Sequence, residues 1–425
     1  MGYEDVIIRS YNAQKDRARV EDLERRCEVG PAERGFLFTD TLGDPICRIK
    51  NSPVYNMLVA ELGDQLVGVT QGSIKLVTVH KPPKNLARVG YILGLRVAPL
   101  YRRRGIGFRL VIKLEDWFIA NGVDYAYMAT EKDNEASFKL FVDKLSYVKF
   151  RTAAILVNPV SHQMSRISSK FEFEKLEVEE AESLYRKFMS STEFFPNDIG
   201  NILRNKLSLG TWVAYPRGES WGATFPSSWA MLSVWNSGEL FKLRLGNAPS
   251  SCLMYTQSSQ LMEKLFPCFK LPAIPDFWQP FGFYFVYGVY REGPLSGKLV
   301  RTLCRLVHNM ASKSKDCKAI VTEVGGSDTL RHHIPHWKFL SCPQDLWCIK
   351  ALKNEDRNSL LEMIKSPPTI TLFVDPREPK ASTQEDNVHF CQIQRGGRCQ
   401  EGHLQGHMKT DGWLPHHGLH GIQKE

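Results

Sequence analysis

The sequence predicts a mixed α/β chain in two halves, each built on a mostly antiparallel central sheet flanked by helices, the second half degenerate. Three observations lead there. Residues 1–160 read as β-α-β-β-β-α-β-α-β, a meander of neighbouring strands rather than strict βαβ alternation. Residue 171 restarts the same programme with a strand and a helix. Finally, Phe285-Val286-Tyr287-Gly288-Val289 repeats the apolar-Gly-apolar pattern of Tyr91-Ile92-Leu93-Gly94-Leu95. A helix follows in both, then a strand ending in Thr-Glu, and Gly to Thr spans 36 residues in one half and 34 in the other.

In order, Val6-Ile7-Ile8-Arg9 is the first strand. Asp16, Val20, Leu23 and Cys27 then recur at helical spacing until Gly30-Pro31 stops the helix. Residues 31–52 carry two glycines and two prolines and are expected to be irregular. Residues 55–60 and 65–77 make a hairpin around Gly63-Asp64, and Lys81-Pro82-Pro83-Lys84 is a solvated loop. After the strand that ends near Pro99, Ile106, Leu110, Val111, Leu114, Trp117 and Phe118 share one face of a helix that stops at Asn121-Gly122. Residues 125–130 are a strand, Asp133-Asn134 cap a helix over 135–144, and 149–157 is the last strand of the half. The polar stretch 158–170 holds four serines, of which 161–170 is read as a linker. The second half, 171–379, has strands at 171–176, 211–214, 229–235 and 240–245 and a helix at 179–189. Residues 380–425 hold six of the twelve histidines among few apolar side chains and are expected to be disordered. Cys391, Cys399, His403 and His407 match no usual zinc spacing, so no metal is expected.

At 425 residues the chain exceeds one compact core, and 43% apolar with 24% charged residues is globular composition. A formal charge of +9 permits anionic ligands without requiring nucleic acid. The N-terminus carries acids and no apolar core, so no signal peptide is expected, and the longest apolar run, 281–290, is too short to span a bilayer. The ten cysteines form no CxxC pair, which fits reduced thiols of the cytoplasm or nucleus.

The chemistry gathers at residues 91–107. An apolar strand carrying Leu95, Arg96 and Val97 runs into Arg102-Arg103-Arg104-Gly105-Ile106-Gly107 and then a helix. Successive backbone N–H groups of such a turn, at a helix N-terminus, form a concave donor array for a pyrophosphate. Gly105 and Gly107 let the backbone approach the ligand, and the arginines add charge. A dinucleotide fold would want a third glycine where Leu110 stands. Gly293 to Lys298 is one residue short of a phosphate loop and lacks its Ser or Thr.

Arg102-x-x-Gly105-x-Gly107 after Leu95-Arg96-Val97 resembles the acyl-coenzyme-A loop of the GNAT N-acetyltransferase superfamily. Asn134-x-x-Ser137-x-x-Leu140-Phe141, followed by Tyr147, resembles the next motif of that fold. Residues 25–31, 37–49, 205–211 and 334–338 resemble the plant hookless-type probable N-acetyltransferases, a likeness that runs to about Pro379. The resemblance implies a tandem GNAT fold with acetyl-coenzyme A (acetyl-CoA) held by residues 95–97, 102–107 and Asn134. It also implies a protein or peptide amine as acceptor, histone lysine included. In this fold a bulge, here at Gly94, splays one strand from the next, and freed N–H groups near Leu95 and Val97 pair with the pantetheine arm.

A lysine must lose its proton before attacking, a handicap of about 4.6 kcal/mol at pH 7. Residues 89–99 contain no carboxylate, so Glu131 is the candidate base. Phe141 stands where many relatives have the tyrosine that protonates the leaving thiolate, which leaves Ser137 or Tyr147 as candidate acid. These departures keep a second reading open, a non-enzymatic acyl-CoA sensor or scaffold. A nucleic-acid-binding protein is third, because no stacking aromatics accompany the arginines.

Overall fold

In the first half, strands β1 (Val6–Ser10), β2 (Phe36–Asp40), β3 (Val54–Leu62), β4 (Gln65–Lys81), β5 (Lys84–Val97), β6 (Tyr125–Glu131) and β7 (Val148–Pro159) alternate with helices α1 (Ala13–Cys27), α2 (Ile106–Ala120) and α3 (Glu135–Phe138). The second half has β8 (Phe171–Leu176), β9 (Ser208–Pro216), β10 (Trp229–Asn236), β11 (Lys242–Gly246), β12 (Gly282–Glu292), β13 (Cys317–Gly325) and β14 (Cys342–Ala351). Its helices are α4 (Val178–Met189), α5 (Ile199–Leu203), α6 (Ser296–Ala311) and α7 (Arg357–Lys365). This computed structural model describes residues 6–27, 36–81, 84–132, 134–222, 224–246, 275–338, 340–365 and 372–378. The Gly30-Pro31 stop, the Pro82-Pro83 loop tip, Asp133 and the His-rich tail, with Cys391, Cys399, His403 and His407, lie outside the described residues.

Twelve strands form one sheet in the order β1-β3-β4-β5-β6-β14-β7-β13-β12-β10-β9-β8, and β2 pairs separately with β11. Neighbours run antiparallel except β5 with β6 and β12 with β13. Each parallel pair is joined by a crossover helix, α2 in one half and α6 in the other. The last strands are exchanged. β14 lies against β6, while β7 lies against β13, and the two pair with each other. The sheet therefore runs unbroken across residue 160. Just past it, the Ser165 amide donates to Asn309 Oδ1 at 2.7 Å and Asn309 Nδ2 donates back to the Ser165 carbonyl at 2.9 Å, which ties the stretch read as a linker to α6.

Side-chain period explains the layering. On α2, Leu110, Val111, Leu114 and Phe118 are fully buried against Ile92, Ala126 and Met128. Gly72 and Gly90 make this close approach feasible, because a Cβ on either would strike Phe118. On α6, Leu299, Val300, Leu303 and Val307 cover Leu232, Val286 and Ile320 in the same way. Burying each such side chain contributes roughly 1.5–3 kcal/mol.

Two elements differ from expectation. β2 lies in the stretch read as irregular, and its partner β11 begins at Lys242. The helix after Asn134 is α-helical only to Phe138 and continues as a π-helical turn from Lys139 to Lys144. Among the described residues no helix is long and apolar enough to cross a membrane.

Candidate active site

β5 pairs with β4 along its length but with β6 only from Val89 to Ile92. At Gly94, φ is +62° and the register with β4 slips by one residue: Leu93 faces Gln71, whereas Arg96 faces Val69. Beyond this bulge β5 keeps to β4, while β6 turns toward β14, with Glu131 opposite Asp345. The strands part like a V, and a cavity of about 1040 Å³ occupies the opening.

The predicted cofactor residues meet here. Leu95, Arg96 and Val97 form one wall of the cavity, and Arg102, Arg103, Gly105, Ile106 and Gly107 form its basic end. Gly105 sits at the N-cap of α2 with φ +78°, where a Cβ would find nothing within 4 Å, so the space before the first turn is open. Arg103 also has positive φ, +61°, a strained conformation for a residue with a side chain. Arg102 Nε donates to the Val97 carbonyl at 3.2 Å, and Arg96 Nε lies 3.6 Å from Glu24 Oε2. Arg104 is the exception: it does not line the cavity, and its guanidinium lies 5.4 Å from the centre of the Tyr101 ring. Asn134 lines the opposite wall and caps α3, its Oδ1 accepting from the Ser137 amide at 3.0 Å.

Of the candidate acid and base groups, Glu131 and Ser137 face the cavity. Tyr147 does not. It is 1% exposed, it packs edge-on against Phe141, and its hydroxyl donates to Glu115 Oε1 at 2.8 Å. Burial, with the Glu115 charge beside it, pushes that phenol well above its ordinary range. Tyr147 is a structural group holding α2 to the sheet, and as a proton donor to a leaving thiolate it is withdrawn. Phe141 takes the cavity-lining place between them.

Among the further groups that line the cavity and that sequence reasoning did not single out are Arg48 and Tyr91. Arg48 belongs to the tight turns after β2. Cys47 and Ile49 beside it are fully buried, and Gln71 Nε2 donates to the Pro45 carbonyl at 2.9 Å. The Arg48 guanidinium, 7% exposed, lies 5.9 Å from the Phe241 ring centre, and burial lowers its pKa. Nothing local marks it, since residue 48 lies in a turn more than forty residues before the strand end that lines the cavity. Lys139 and Lys144 also line the wall; their five-residue spacing is not an α-helical phase, and the π-helical turn that carries them left no signal in the sequence.

Comparison with known proteins agrees with this geometry. The acetyltransferase (GNAT) family profile matches residues 18–147. The chain is 47% identical to the probable N-acetyltransferase HLS1 of Arabidopsis thaliana, over 88% of this chain and 100% of that protein. It is 33% identical to the acetyl transferase GW6a of Oryza sativa subsp. japonica, over 88% of this chain and 97% of that protein. In fold it is similar to the Saccharomyces cerevisiae N-myristoyltransferase crystallised with myristoyl-CoA. The TM-score is 0.51 at 9% identity, covering 82% of this chain and 79% of that one. With the splayed strands, the Arg-x-x-Gly-x-Gly turn and near-complete cover of these relatives, the chain belongs to the GNAT acetyltransferase family, among its hookless-type N-acetyltransferases.

Proposed function

We propose that the chain transfers the acetyl group of acetyl-CoA to an amine, with a protein lysine, histone lysines included, as the acceptor class. The observation that carries this reading is the V between β5 and β6, whose cavity joins a basic Gly turn at one end to Arg48 and Tyr91 at the other. The turn at 102–107 offers backbone N–H groups, the N-terminus of α2 and two cavity-facing arginines to a pyrophosphate. The stretch from Leu93 to Val97, paired with β4 but not with β6, offers its β6-side backbone donors to an extended pantetheine arm and one to the thioester oxygen. The amine then attacks the thioester carbon. A C–N bond forms, the C–S bond breaks, the amine's proton leaves through Glu131 or water, and the thiolate takes a proton from Ser137 or solvent. A protein-lysine acceptor suits a chain of the cytoplasm or nucleus.

Calorimetric titration with acetyl-CoA tests the site before any acceptor is known. Wild-type protein should bind, and Gly105→Glu, which puts a negative charge where the phosphates belong, should weaken binding at least about a hundredfold. Coenzyme-A release with lysine peptides tests turnover. Binding without release on any amine would replace this reading by an acyl-CoA-binding scaffold, and no binding at all would end it.

A further inference from the structure

We infer that Tyr91 is the group that receives and orients the acceptor amine. This rests on the acetyl-CoA reading above and names the residue that completes it.

The inference starts from Tyr91's place in the sheet. Its backbone is enclosed by ladders on both sides, opposite Ser73 of β4 and Tyr127 of β6, so the side chain is what reaches the cavity wall. The neighbouring Gly90 and Ile92 face α2, which puts the Tyr91 ring on the other face, away from the coenzyme-binding helix. Tyr91 precedes the bulge glycine by three residues and so stands at the closed end of the V, where an amine must come to meet the thioester.

The ring is held firmly and its hydroxyl is left over. Tyr91 stacks on Tyr127 with ring centres 4.8 Å apart, and Tyr127 stacks on Trp347 of β14 at 5.4 Å. Tyr127 is anchored in turn: its hydroxyl donates to Glu378 Oε2 at 2.6 Å, and Ser73 Oγ and Lys75 Nζ reach the same carboxylate at 2.6 Å each. Tyr91 is only 5% exposed, yet among the described residues its hydroxyl has no hydrogen-bond partner. Its oxygen is not sealed off: it opens on the cavity, where a bound ligand can pair with it.

The groups that act on Tyr91 from the elements around it are the Arg48 guanidinium and the carboxylates of Glu378, Glu323 and Asp345. Glu323 lies on β13, Asp345 on the exchanged strand β14, and Glu378 in the buried segment 372–378. Burial pushes the Tyr91 phenol upward, so it keeps its own proton: the oxygen accepts an N–H bond from the incoming amine and aims the nitrogen lone pair at the thioester carbon.

The test uses two ligands on the full chain. One is acetyl-CoA. The other is CoA whose sulfur is joined through a –CH2CO– bridge to the ε-nitrogen of a lysine amide, which spans both sides of the V. Wild-type protein should bind the conjugate more tightly than acetyl-CoA. Tyr91→Phe, which keeps the ring stack, should lose about tenfold for the conjugate while acetyl-CoA binding stays within about twofold. Its Tm should hold, because the ring stack is kept and the hydroxyl bonds no protein group among the described residues, and that combination is not what a structural tyrosine gives. Unchanged conjugate affinity in Tyr91→Phe, with acetyl-CoA still bound, would overturn the inference and leave the acetyl-CoA site standing. Failure of wild-type protein to bind acetyl-CoA would overturn both.

Discussion

Gly94 in β5 and Gly288 in β12 have φ of +62° and +59°, and each precedes a crossover helix and a parallel strand. Both strands also leave their parallel partner early, β5 after Ile92 and β12 after Val286. Yet only one bulge opens onto a site. At Gly94 the nearest atom to an added Cβ would be Gln71 Cδ at 3.5 Å, an ordinary contact, and the cavity beyond is about 1040 Å³. At Gly288 the added Cβ would overlap the hydroxyl of Tyr185, a fully buried residue of α4 that hydrogen-bonds Ser233 Oγ at 2.7 Å. The hollow left there is about 20 Å³, the size of one water, and Leu372 and Val374 close it. The turn that follows reads Glu292-Gly293-Pro294-Leu295, with no arginine. The bulge is thus a property of the fold, whereas a ligand site also needs empty space and charge of the right sign.

Substitution at the two glycines should separate these roles, with the largest effect on stability at the filled site. Gly288→Ala combines a positive φ with a clash against a packed tyrosine and should cost about 2–4 kcal/mol in urea unfolding. Its folded fraction should still bind acetyl-CoA as wild type does. Gly94→Ala meets only the backbone penalty and should cost about 1 kcal/mol, but it should weaken acetyl-CoA binding by shifting Leu95 and Val97. Equal stability losses at both positions would mean that Tyr185 yields, and the contrast drawn here would fail.

The difference between the halves was partly legible in the sequence, because it lies in short stretches. Arg-x-x-Gly-x-Gly and its absence after Val289 are local patterns, and local patterns specify local backbone. The strand exchange was not legible. Alternation of side chains tells which face a strand buries but not which strand lies beside it, so β14 gave no sign that it enters the other half's sheet. Tyr91 was hidden for the same reason: the fold brings Arg48 to it from 43 residues before and Glu323, Asp345 and Glu378 from more than two hundred residues after. Tyr147 shows the converse, a residue with the right chemistry in the right motif whose hydroxyl points into the core. Tyr147→Phe should therefore cost about 1–2 kcal/mol, with Glu115 still paired to Lys350 Nζ at 2.7 Å, and leave kcat unchanged. Ser137→Ala should do the reverse, lowering kcat with little loss of stability. A kcat loss in Tyr147→Phe would return that tyrosine to the site.

The smallest expected effect concerns acid, and it too divides the halves. At the β1–β3 edge, hydrogen bonds from Arg9 hold the Asp16 carboxyl at about 2, and those from Arg9 and Arg19 hold Glu61 at about 2, both below the ordinary carboxylate range near 4. A depressed pKa contributes stability above the unfolded value that is lost as pH falls through the folded one. The β1–β3 ladder should therefore lose hydrogen-exchange protection between about pH 4 and pH 2. Asp328, beside the filled bulge, has the opposite sign. Burial raises its pKa, so the fold favours its protonated form, and its surroundings gain from the same acidification. Exchange measured at pH 5 and pH 3, corrected for intrinsic rates, should show protection falling around Ile7 and Val59 and holding or rising around Leu330. Asp16→Asn should remove most of the fall at the first site without changing the second. A uniform loss across both regions would show instead that acid opens the continuous sheet as one unit.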